Sequence, residues 1–166
     1  PEPMTRVGAD YLASLRNGNG AYLYGDPHRF HPNNSACKIK GSLGRSQSGE
    51  CALSRFGKAG PSDTMRALDN FFTYHHFLDI GRQRQFPHEA WYATAGYYYF
   101  FGHYYAALNI AALPEAGRDR FAPRLTAVLL RTQEPDGSWW DFPMYGYSKA
   151  YGTALALLAL TTVNPS

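Results

Sequence analysis

The feature that most constrains this chain is a turn that occurs twice. Asn17-Gly18-Asn19-Gly20-Ala21-Tyr22 and Glu134-Pro135-Asp136-Gly137-Ser138-Trp139 place an Asn or Asp, a Gly, a small residue and an aromatic in one register. An Asx side chain bonds the backbone two residues on, and Gly tolerates positive φ, so each segment reverses the chain. An amphipathic helical pattern precedes each turn. A helix rich in small residues follows it: Gly49-Glu50-Cys51-Ala52-Leu53 after the first, Gly152-Thr153-Ala154-Leu155 after the second. Units of this kind cannot bury their apolar faces alone and must stack. The aromatic two residues past each glycine is placed to lock the hairpin.

Apolar periodicity predicts six helices, over about 5–16, 46–58, 62–80, 88–113, 118–132 and 148–162. Thr5 and Ser62 read as N-caps, and Pro123 fits only in a first turn. No alternating strand pattern occurs. The fold class is therefore all-α: three helical hairpins in one repeat domain over residues 1–166. Amphipathic odd helices form an outer layer and the Gly-, Ala-, Leu- and Tyr-rich even helices an inner one. The chain opens on Pro-Glu-Pro without a signal peptide, which reads as part of a longer protein.

Composition narrows the function. Among 166 residues, 45% are hydrophobic and 17% charged, which excludes disorder. The net charge of +3 is spread in short groups such as Lys38, Lys40 and Arg45, with no nucleic-acid motif. No nucleic acid is expected as a partner. The stretch from Ala90 to Leu113 lacks acidic and basic residues, but tyrosines run throughout it, so it reads as a buried helix rather than a transmembrane segment. Cys37 and Cys51 are the two cysteines. Cys51 reads as a small buried helix residue, and a Cys37–Cys51 bridge is the alternative.

Gln133-Glu134-Pro135-Asp136-Gly137-Ser138-Trp139, followed by Tyr151-Gly152-Thr153-Ala154-Leu155-Ala156-Leu157-Leu158, resembles the glutamine–tryptophan repeat of the squalene-cyclase and protein-prenyltransferase superfamily. The match covers about residues 97–162, with Asn19-Gly20 a weaker echo. The resemblance implies an α/α toroid, of which three helical hairpins make about half. It does not bring the catalytic apparatus: no D-x-D-D cluster is present, and no D-x-C zinc motif. No metal and no cofactor are expected.

The residues that carry candidate chemistry lie on the inner helices and near their starts. Trp91, Tyr98 and His103 belong to an aromatic run that either packs between layers or lines a cavity for an apolar or carbohydrate ligand. Arg45, Glu50, Tyr147 and Lys149 lie near helix starts that would open onto one mouth of a toroid. The first expectation is a binding module for an apolar ligand or protein partner on an aromatic concave face. The alternative is a lyase-type enzyme acting on polysaccharide. The free flanks of such a half-toroid call for the remainder of a longer chain or a self-associating copy.

Overall fold

The computed structural model describes residues 2–31, 33–82, 84, 92, 98–141 and 148–165. They form seven α-helices: α1 (Glu2–Ser14), α2 (Leu43–Arg55), α3 (Pro61–Thr73), α4 (His76–Arg82), α5 (Tyr99–Ala111), α6 (Glu115–Arg131) and α7 (Ser148–Val163). Three 3-10 turns, Asp26–Arg29, Ser35–Cys37 and Ile39–Gly41, fill the connection before α2. The fold is all-α, with no strand among the described residues. An isolated antiparallel bridge between Arg16 and Tyr22 closes the first turn.

Helix boundaries depart from the periodicity where local chemistry overrides it. Thr5 is not a cap but lies inside α1, its Oγ1 donating to the Glu2 carbonyl at 2.8 Å. Ser62 likewise follows Pro61, and the Asp63 carboxylate accepts from the Gly60 N–H at 3.1 Å instead. The single helix expected over 62–80 breaks at Tyr74-His75, which turns His75 into the interior. The helix expected from 88 begins at Tyr99, and Tyr92 adopts a left-handed φ of 63° that no helix continues through. Most of the intervening positions, with Trp91, lie outside the described residues. Because α6 starts at Glu115, Pro123 sits in its interior and not in its first turn. Pro123 and Asp119 both face solvent, so the carbonyl that Pro123 leaves unbonded is open to water.

Helices α2, α5 and α7 lie side by side with α5 in the middle, backed by α1, α3 and α6. The main core joins Leu68, Phe71, Phe100, Phe121, Leu125 and Leu129, all at 0% exposure, with Trp139 and Ala156. A smaller cluster gathers Leu15, Tyr22, Leu23, Cys37 and Leu53 under the first turn. Both cysteines are buried and carry free thiols. The α2–α5 crossing is a backbone contact: a Cβ on Gly102 would lie 2.9 Å from the Gly44 Cα.

The two turns share one hydrogen-bond pattern. Asn17 N donates to Ala21 O and Glu134 N to Ser138 O, each at 2.8 Å, and Gly20 and Gly137 close back on Asn17 and Glu134 at 2.9 Å. The Asn19 and Asp136 side chains accept from the backbone N–H two residues on, at 3.0 and 3.1 Å. Gly20 and Gly137 take φ of 85° and 84°, a region open to glycine and strained for other residues. Tyr22 and Trp139 are buried, at 1% and 3% exposure.

Candidate functional site

The residues singled out from sequence are held by separate partners. Arg45 donates to the carbonyls of Tyr22 and Ala36 and lies over the Tyr24 ring, so it ties the long connection onto α2. Burial lowers its guanidinium from the ordinary value. Glu50 is fully buried, both carboxylate oxygens accepting from Arg16 at 3.2 and 3.1 Å. Burial raises its carboxyl, against the pull of Arg16. Lys149 pairs with Asp136 across the second turn, and its ammonium lies 5.4 Å from the Trp140 ring centre. Gln133 donates to the Gly137 carbonyl at 2.9 Å. Trp91 and Tyr147 lie outside the described residues.

His103 belongs to a buried chain of polar groups that sequence reasoning did not assemble. His103 Nδ1 faces the Tyr99 carbonyl at 2.7 Å, and its Nε2 meets His75 Nε2 at 2.8 Å. His75 Nδ1 faces Asp79 at 3.2 Å, and Asp79 also accepts from the Tyr99 hydroxyl at 2.8 Å. A carbonyl and a carboxylate only accept, so both Nδ1 atoms donate. Burial and the neighbouring His75 press His103 down to about 3. Asp79 is drawn down to about 2, His75 and the Tyr99 hydroxyl outweighing its burial. His75 is buried and His76 exposed, and His76 lies against Phe77 at 4.1 Å. Only the break between α3 and α4 brings His75 to His103, and that break left no mark in the apolar periodicity.

At the start of α5 the Asp141 carboxylate accepts from the Phe100 N–H at 2.7 Å. Its other oxygen is buried with no hydrogen-bond partner among the described residues. Burial raises this carboxyl to about 7, against the Phe100 N–H and Arg82.

The aromatic run divides by face. Tyr99, Phe100 and His103 enter the core, with the Tyr99 and His103 rings stacked at 4.3 Å. Tyr98 is exposed, and Phe101 and Tyr105 pair at 4.8 Å on the half-exposed side of α5. Tyr151 on α7 lies within electrostatic reach of Tyr98 and Tyr105. Further along α7, Leu157 and Leu158 are 50% and 49% exposed. Among the described residues no helix is long and apolar enough to cross a membrane, and no group of His, Cys, Asp or Glu gathers as a metal site. No family model matches the chain, and no solved structure matches it at a significant level.

Proposed function

We propose that this chain is a non-catalytic module of the cyclase-like α/α-toroid kind, which binds an apolar partner on the open face of α5 and α7. The observation that carries the reading is the unburied apolar surface there: Tyr98 at 53% exposure, Tyr151 at 42% and the two leucines of α7. Large side chains held half out of water on adjacent helices mark an interaction surface. The shared hydrogen bonds of the two turns support a tandem hairpin repeat, and the buried Trp139 suits the glutamine–tryptophan resemblance. A lyase-type site draws less support, because Arg45, Glu50 and His103 are each occupied with internal partners.

Nile red titrated onto the folded chain tests the surface. Its emission should rise and shift to the blue, and Tyr151→Ser combined with Leu158→Ser should weaken that response without lowering the melting temperature. Unchanged dye emission with the unsubstituted chain refutes the reading.

A further inference from the structure

The two hairpin units differ most in how they pass from turn to inner helix. The chain runs from Tyr22 to Leu43 in the first and only from Trp139 to Ser148 in the second. The extra length is ordered into 3-10 turns and pinned by Arg45 to the Tyr22 and Ala36 carbonyls. Ordered loop on a repeating scaffold is where binding groups accumulate. Here it closes, with the first turn and the end of α3, a cavity of about 370 Å³. That is within the size range of small-ligand sites.

The wall combines three chemistries. Asn17 and Asn19 bring amides, Lys38 and Lys40 bring ammonium groups, and Tyr74 and Tyr92 bring rings. No Asp or Glu among the described residues lines it. Among the described residues neither lysine has a carboxylate partner within ion-pair distance. Lys40 is held in place by aromatic faces, its Nζ 4.7 Å from the Phe77 ring centre, 5.3 Å from Tyr92 and 5.4 Å from Tyr74. Such contacts fix a cation without neutralising it. Tyr92 takes its place in the wall at φ 63°, a strained conformation for a residue with a side chain.

We propose that this cavity binds an acidic saccharide, a sugar ring bearing a carboxylate or a sulfate. The lysines answer the anionic group. The Asn17 and Asn19 amides bring N–H donors to meet sugar hydroxyls, the Asn19 Oδ1 being held by the Ala21 N–H. Tyrosine rings offer flat apolar faces to the C–H side of the ring. An apolar ligand would strip water from amides and ammonium groups and give nothing back.

Calorimetric titration of the full chain tests this with trigalacturonate and a sulfated chondroitin disaccharide, against maltotriose and inorganic sulfate. At least one acidic sugar should bind, less tightly as sodium chloride is raised. Lys38→Glu should weaken binding by about tenfold or more, whereas Arg6→Glu, an equal charge change on α1, should leave it unaltered. Lys38 is exposed, so an unchanged melting temperature shows that the fold survives. Equal affinity for inorganic sulfate removes the sugar from the proposal, and equal affinity for maltotriose removes the lysines. Failure of both acidic sugars to bind overturns it.

Discussion

In the first hairpin Tyr22 lies against Gly49, where a Cβ would fall 2.6 Å from its ring, and Arg16 reaches the buried Glu50. In the second, the Trp139 indole donates to the Leu129 carbonyl at 2.8 Å, and its backbone N–H donates to the Thr153 hydroxyl at 3.0 Å. The backbone hydrogen bonds of the two turns are the same, and what secures them is not. One hairpin is closed by a buried ion pair under a tyrosine, the other by neutral hydrogen bonds around an indole, its own ion pair, Asp136–Lys149, lying at the surface. A local turn code therefore fixes the reversal, and tertiary partners are free to differ behind it.

Truncation of the aromatics is the hardest test of that contrast. Trp139→Ala should cost about 3–5 kcal/mol, read from urea midpoints. The conservative variants should then separate the two sites. Trp139→Phe gives up the bond to the Leu129 carbonyl and should cost about 1–3 kcal/mol. Tyr22→Phe removes a buried hydroxyl that lies beside Glu50 and Arg16 but has no well-formed hydrogen bond among the described residues, and should cost less than Trp139→Phe. Equal losses for the two would mean that both rings act only as filler.

The ionic closure ranks close behind. Glu50→Ala leaves the partly exposed Arg16 with Asp63, at 3.7 Å, as its remaining carboxylate and should cost about 1.5–3 kcal/mol. Thr153→Ala, the corresponding change in the second hairpin, should cost about 1 kcal/mol. Similar thermal shifts for the two would erase the distinction drawn between the hairpins.

Within the turns the effect is smaller. Gly137→Val forces a β-branched residue into positive φ, at a cost of roughly 1–2 kcal/mol or more. Gly25→Val should do much less harm, since φ at Gly25 is 172°, extended backbone that any residue adopts. Matching chemical-denaturation midpoints would show that the motif glycine is not needed for its φ.

A last contrast is a slope with pH. Asp141 follows the second turn, and its counterpart after the first is the exposed Tyr24. Its carboxyl is raised from 3.8 to about 7, so the folded chain keeps that proton when the unfolded chain has lost it. Stability from this group is full below about 3.8 and falls as pH rises toward 7. Asp141→Asn should change little at pH 4 and flatten that decline, as denaturation at a series of pH values will show. An unaltered profile would place the proton elsewhere.

Much of the fold was legible because turn chemistry is local. Asn19-Gly20 and Asp136-Gly137 carry their own instructions, and the burial of Trp139 and Cys51 follows from the hairpins they imply. The helix break before His76 was not legible, since Phe71, Phe72 and Phe77 keep an apolar rhythm across it. The partners of the candidate residues were hidden for a related reason. Arg16 and Glu50, or His75 and His103, are far apart in the chain, and a polar residue does not announce which distant group will satisfy it. Lys38 and Lys40 looked like dispersed surface charge, because nothing in their spacing foretells the rings of Tyr74 and Phe77 around Lys40.

The meeting of Gly44 and Gly102 bears on which sequence changes the chain can accept. Most crossings in a core retain some slack, because a larger residue on one helix can be answered by a smaller one opposite. Here both partners are already the smallest there is, so no answering substitution exists. A methyl group on Gly102 must push α5 away from α2, and Phe101 moves with the helix that carries it, whereas one on Gly44 would rest 3.4 Å from the Gly102 Cα, an ordinary contact. The crossing is therefore a one-way constraint on variation: Gly44 has room for a small step, and Gly102 has none that Gly44 can repair.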